Sequence, residues 1–175
     1  SYYERKMYPE AIDILEEGLN VLPGVTQWWG QLAQFYMLEE RFDKALSTLD
    51  LAYIAGYIDK ENQLKLLVQL YDNSGVPYQA ATIMAKHIDS GEIEATADNM
   101  STVANSYHRA KELDEAVAWY KRAAEAAEDA DDKGEYYRKR GNIMMLNEQY
   151  AEAVEPLQRA LDYLEGSDEG RVYMS

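Results

Sequence analysis

Four side-chain amides recur once per unit of this chain, at Gln34, Gln69, Asn105 and Asn142, spaced 35, 36 and 37 residues apart. An amide offers both a donor and an acceptor, so a row of them matches the backbone of an extended peptide without reading its side chains. In the same stretches stand Lys65, Arg109, Arg138 and Lys139, in a chain with 17 basic and 32 acidic residues. This is the chemistry of recognition rather than of bond-making. The two histidines, His87 and His108, have no second histidine or carboxylate standing out at helical metal spacing. There is no glycine loop to cradle a phosphate and no nucleophile elbow. Without cysteine, thiolate zinc sites and disulfides are excluded. The sequence therefore reads as no enzyme, with no catalytic residues, no metal and no cofactor.

The elements that must position these amides follow from five alanines, Ala11, Ala45, Ala80, Ala116 and Ala153, at intervals of 34, 35, 36 and 37 residues. A fixed period in this range marks stacked supersecondary units. Four residues after each alanine stands Leu15, Leu49, Met84, Tyr120 or Leu157, and seven after stands Gly18, Ala52, His87, Ala123 or Ala160. That spacing lays small and apolar residues on one helical stripe. Nine residues before each alanine comes Tyr2, Tyr36, Tyr71, Tyr107 or Met144, and three earlier still lie Ala33, Val68, Ala104 and Gly141. The unit is two helices, the first carrying a small residue where its partner crosses closely. Helices are predicted at about 8–22, 26–38, 42–55, 61–73, 77–90, 97–110, 113–129, 133–146 and 150–164. Pro156 falls inside the last of these, where it deletes a backbone bond and is expected to bend the helix.

These residues resemble the tetratricopeptide repeat family. Thr26 to Asp59 is the best single match, with Trp29, Leu32, Ala33, Tyr36, Phe42, Ala45, Leu49 and Ala52 on eight of its characteristic positions. Departures are Tyr57 where a closing proline is expected, Arg140 at an apolar position and His87 at a small one. The resemblance implies an all-α, right-handed superhelical solenoid of antiparallel helix pairs. It implies a single solenoid over 1–175, with a partial repeat at 1–25, repeats at about 26–60, 61–96, 97–133 and 134–167, and a partial repeat at 168–175. In that family the first helix of each pair lines a concave groove. The resemblance thus makes Gln34, Gln69, Asn105 and Asn142, flanked by Lys65, Arg109, Arg138 and Lys139, the partner-binding residues. The chaperone carboxylate clamp of some members is not supported, because Thr102 stands where an asparagine is needed and Glu135 where a cation is. A narrower likeness, over Lys44 to Tyr71 and Gly75 to Ile88, is to bacterial repeat proteins that accompany TonB-type transport systems, and implies a periplasmic scaffold.

The formal charge of −15 argues against nucleic acid and against an anionic membrane surface, both of which call for a basic footprint. No apolar run is long enough to insert in a membrane. The densest acidic run, Glu125, Glu128, Asp129, Asp131, Asp132 and Glu135, reads as a solvated corner between units. Trp29, Tyr36, Tyr71, Tyr107, Tyr120 and Tyr137 fall on packing columns and read as core. Trp28 and Trp119 stand beside those columns and are expected to be partly exposed anchors. Residues 1–5 read as the tail of a first helix and Asp168 to Ser175 as the start of another, which leaves Ile12, Leu15, Val172 and Met174 short of packing partners. The function expected is a non-catalytic scaffold holding a peptide or protein. The alternative is a self-assembly module whose ends stack on other copies.

Overall fold

A computed structural model describes the backbone of residues 2–172 and the side chains of residues 7–166. Within these limits the chain is all-α, with nine helices packed in sequential pairs. They are α1 (Tyr2–Val21), α2 (Thr26–Leu38), α3 (Phe42–Ile54), α4 (Glu61–Asn73), α5 (Pro77–Ser90), α6 (Ala97–Arg109), α7 (Leu113–Ala126), α8 (Ala130–Leu146) and α9 (Tyr150–Val172). Two compact units divide the chain, Ser1–Ala80 and Ala81–Ser175, and the division falls inside α5. In the first unit α1 packs on α2, α2 on α3 and α3 on α4. In the second, α6 packs on α7, α7 on α8 and α8 on α9.

One turn recurs at four places. Five residues before each of four alanines, the backbone enters the left-handed region: Glu40 (φ 59°), Gly75 (φ 77°), Lys111 (φ 67°) and Glu148 (φ 59°). The next residue's N–H donates back to the carbonyl of the aromatic-column residue: Arg41 to Tyr36 (2.8 Å), Val76 to Tyr71 (3.0 Å), Glu112 to Tyr107 (3.0 Å) and Gln149 to Met144 (2.9 Å). This is a Schellman cap, which satisfies carbonyls a helix end otherwise leaves open. The following helix starts at once, with Ala45 N–H donating to Arg41 O and Ala153 N–H to Gln149 O, both at 3.0 Å. Each pair is thus joined by a turn that leaves no slack.

The small residues predicted at the crossings are buried: Ala33 and Ala104 have no exposure and Val68 only 5%. At Gly141 an added Cβ would lie 2.5 Å from Leu157 Cγ, and at Gly134 one would lie 2.7 Å from Leu164 Cγ. The backbones of α8 and α9 therefore approach as closely as side-chain atoms allow. Tyr137 stacks on Tyr163 at 6.0 Å over Ala124 and Ala160, and Arg159 donates to the Tyr137 hydroxyl at 3.0 Å. Tyr57, at the position where a proline was expected, stacks on Trp29 at 5.6 Å instead. His87 is buried and its Nδ1 lies 3.3 Å from Glu92, as befits a satisfied interior histidine.

Four expectations are corrected. The predicted start near residue 8 is absent; α1 is continuous from Tyr2, because Glu4-Arg5-Lys6-Met7 are good helix formers and supply no turn residue. At the other end α9 passes through Gly166 to Val172, without the break expected before Asp168. Trp119 is 5% exposed, covered by the Arg122 guanidinium 3.8 Å above its ring, which Asp89 holds at 2.9 Å. Ile12 is 3% exposed; the exposed large apolar residues of α1 among the described side chains are Met7, Ile14 and Val21, and the side chains of Val172 and Met174 lie outside the described residues. Trp28 is half-buried and lies over Gly18, whose added Cβ would come 2.9 Å from its ring. Pro156 is fully buried, and α9 continues on both sides of it.

The turns generate a stability prediction. An added Cβ at Gly75 meets nothing within 4 Å, so its cost is that of the left-handed backbone alone. Gly75→Ala is expected to lower stability by about 1–2 kcal/mol. Gly24→Ala, at a glycine with equally open surroundings and no positive φ, is expected to be neutral or mildly stabilising. Urea denaturation of both variants checks this; equal midpoints would count against the turn's role.

Candidate peptide-binding surface

The outer surface of the first helix of each pair is set by its partner. Once α2 turns Leu32, Ala33 and Tyr36 inward, Gln31 and Gln34 are left outward. The same register exposes Lys65 and Gln69 on α4, Asn105 and Arg109 on α6, and Arg138 and Asn142 on α8. In these three helices a cation and an amide stand four residues apart, which places them side by side on one face. None of Gln34, Gln69, Asn105 and Asn142 has a side-chain hydrogen bond to any described residue. Their donors and acceptors are turned to solvent rather than tying helix to helix.

The cations differ. Arg138 lies bidentate on Glu135, at 2.9 and 2.7 Å, and Lys139 stands 3.8 Å from the same carboxylate. The Arg138 guanidinium is the main reason that the Glu135 carboxyl sits below its ordinary pKa. Lys139 also lies 5.8 Å from the Tyr120 ring centroid. Glu135 thus offsets one of two neighbouring positive charges and fixes the guanidinium. Lys65 and Arg109 are exposed and each is engaged by a neighbouring group.

The acidic corner has a structural task. Asp129 caps α8, accepting from the backbone N–H of Asp131 at 2.8 Å and of Asp132 at 3.3 Å. Asp131 and Asp132 occupy the first turn, where negative charge complements the helix dipole.

Clefts in the first unit were not predicted, and two of them bear on the site. One, of about 570 Å³, opens between α1 and α2 and is lined by Ala11, Ile14, Leu15, Gln34, Phe35 and Leu38. Gln34 therefore stands at the edge of an apolar surface. The other, about 400 Å³, is bounded by Glu16, Leu19, Trp29, Tyr36, Ser47 and Leu51. Here the Tyr36 hydroxyl donates to Glu16, and by the same logic Tyr71 donates to Asp50. Each bond ties a column tyrosine to an acid on the preceding helix. The signal was present: Glu16 and Asp50 both stand five residues after a repeat alanine.

Residues 94–166 match the tetratricopeptide repeat family, one of non-catalytic protein-interaction modules. Among solved structures, YrrB, described as a tetratricopeptide repeat protein with an unusual peptide-binding site, is similar with a TM-score of 0.66 and 15% identity, over 90% of this chain and 78% of that one. MamA is similar with a TM-score of 0.64 and 16% identity, over 95% and 94%. A MamA chain beginning at its residue 41, from Desulfovibrio magneticus RS-1, gives 0.62 and 12% over 95% and 90%. At such identities the likeness is one of fold. No protein of curated function matches the chain.

The tyrosine–carboxylate ties make stability sensitive to alkali. Burial first, and then the bonded carboxylate, pushes Tyr36 and Tyr71 up to about 12 from an ordinary 10.0. A pKa raised on folding gives stability that is whole below the unfolded value and is lost as pH rises through the folded one. Urea midpoints are expected to fall between pH 10 and about 12. The double variant Tyr36→Phe, Tyr71→Phe should flatten that fall. Its stability near neutral pH should drop by at least about 1 kcal/mol for each lost bond to a charged group. A wild-type midpoint that holds to pH 12 would contradict this.

Proposed function

We propose that this chain is a scaffold that holds a peptide or protein segment against the exposed amides of its first-type helices. The observation that carries the reading is the amide set itself: Gln34, Gln69, Asn105 and Asn142 share one repeat position, are all exposed, and have no internal hydrogen bond among the described residues. In the second unit Asn105 with Arg109, and Asn142 with Arg138 and Lys139, form two amide–cation faces. In the first unit Gln69 with Lys65 forms a third, and Gln34 borders an apolar cleft. An extended segment bonds its backbone to the amides of one unit and sets an acidic or C-terminal carboxylate near the cations of that unit. Rigid helices keep the entropy lost on docking low. YrrB, whose description includes a peptide-binding site, supports the class of ligand by analogy of fold.

Self-assembly is the second reading. It is favoured by exposed apolar residues in the first unit, with Met7 62%, Ile14 70% and Leu38 58% exposed. The link to TonB-type transport and a periplasmic setting rests on the resemblance of Lys44 to Tyr71 and Gly75 to Ile88 alone.

Peptides selected from a random displayed library against the chain supply a ligand for the test. Asn105→Ala with Asn142→Ala is expected to weaken their binding tenfold or more by calorimetry, since a lost partner in a desolvated contact costs about 1–3 kcal/mol. The melting curve should stay nearly unchanged. Unaltered binding with earlier melting would make the amides structural. Loss of binding on neutralising Asp131 and Asp132 instead would move the site to the acidic corner.

A further inference from the structure

Six residues after the repeat alanine, the last three second-type helices carry a cation: Lys86, Arg122 and Arg159. In the second unit both guanidiniums cover a ring and meet a carboxylate. Arg122 lies 3.8 Å from the Trp119 ring centroid and is held by Asp89 of α5 at 2.9 Å. Arg159 lies 5.4 Å from the Tyr137 ring centroid, donates to its hydroxyl at 3.0 Å and pairs with Glu155. Three residues after the alanine the chain is covered at Ile83 (8%), Trp119 (5%) and Pro156, which is fully buried. Helix α3 departs on both counts: its sixth residue is Leu51, 59% exposed, and its third, Thr48, is half-buried. Both line the cleft of about 400 Å³ among α1, α2 and α3. Trp29 lines it too, at the repeat position that Tyr137 has beneath Arg159, four residues before the small crossing residue. The lining holds one carboxylate, Glu16, and no cation. Glu16 accepts from the Tyr36 hydroxyl and has no ion pair among the described residues.

The vacancy is set by Leu51 and not by the limits of the chain. All three helices bounding the cleft are in place. The side of α1 concerned is not one that a preceding helix covers: Ile54, nine residues after Ala45 as Asn20 is after Ala11, is 75% exposed with α2 packed on α3. In the second unit the cation comes each time from the same helix pair as the ring, so no outside segment is called on. We propose that the cleft binds an arginine side chain of a partner protein, its guanidinium on Glu16 beside Trp29 and its apolar neighbour in sequence on Leu51. Arginine is preferred to lysine because its planar fork both stacks on a ring and pairs with a carboxylate. The described arginines of this chain are already engaged, Arg41 with Glu39 and Arg140 with Glu155 among them, so neither this chain nor a second copy has one to spare. Free arginine would bring a carboxylate close to Glu16 and to Asp13, whose charge reaches Tyr36; an arginine within a peptide brings none. Trp29, Leu32 and Tyr36 lie on the side of α2 opposite Gln34, so this proposal and the amide reading fail separately.

The probe is acetyl-Leu-Arg-Leu-amide, titrated into the isotope-labelled 175-residue chain and followed by NMR. Its citrulline counterpart, an uncharged isostere, and free arginine are the comparisons. Saturable shifts are expected at Leu19, Trp29 and Leu51, with half-saturation on the order of millimolar and roughly tenfold weaker binding of both comparisons. Glu16→Gln should weaken the peptide about tenfold. Leu51→Arg supplies the missing cation from within and should abolish binding while leaving the melting temperature equal or higher. Leu51 is 59% exposed, so this variant decides the matter where Glu16→Gln disturbs folding. Shifts that do not saturate, equal binding of the citrulline peptide, or indifference to Leu51→Arg overturn the proposal. So does free arginine binding as well as the peptide, for then the occupant is a small molecule. Self-association of the chain that the peptide disperses would make it a second copy, and loss of peptide binding in a longer natural form of the polypeptide would make it a flanking segment; either overturns the assignment to a partner.

Discussion

Much of this structure depends on one backbone hydrogen bond made four times. The residue after each of Glu40, Gly75, Lys111 and Glu148 donates to the carbonyl of the aromatic-column residue, and the next helix begins within the same few residues. A looser connection would leave the second helix free to slide or tilt. This one fixes its direction, so the alanine must meet the preceding helix, and only small residues are tolerated there. The contact of Leu157 on Gly141 shows how little room remains. At three of these four turns the left-handed residue is Glu40, Lys111 or Glu148, which adopts positive φ at a cost glycine avoids. The packing of both helices outweighs that cost.

The surface follows from the interior. With one stripe of each helix committed to its partner, the amides and cations fall outward at fixed register. Several of the charges have internal tasks. Glu135 anchors Arg138 and stands beside Lys139, Asp129 caps α8, and Asp89 holds Arg122 over Trp119. An acidic run that looks in sequence like bare solubility is thus partly helix-end chemistry, and the net charge of −15 overstates how much acid is available to a partner. The amides are different, because no described residue satisfies them. Arg140 differs again: its guanidinium reaches Glu155 at 3.6 Å, yet its Nε is buried with no hydrogen-bond partner among the described residues.

Periodicity alone determined the helix pairs, their order and most of their limits. The spacing of small, apolar and aromatic residues reports which stripe is buried, and burial is what a repeat must solve the same way each time. The amides were legible for the same reason, since a fixed stripe inward fixes a stripe outward. Tertiary structure alone decided what one-dimensional spacing does not carry. Trp119 is buried because Arg122 closes over it. Tyr36 and Tyr71 are tied to Glu16 and Asp50 because antiparallel packing brings positions about 20 residues apart into contact. The α1/α2 cleft gathers Ala11, Ile14 and Leu15 with Phe35 and Leu38 from two helices. A repeat pattern states what each residue does when its neighbours are in place. Which neighbours are in place is a property of the folded chain.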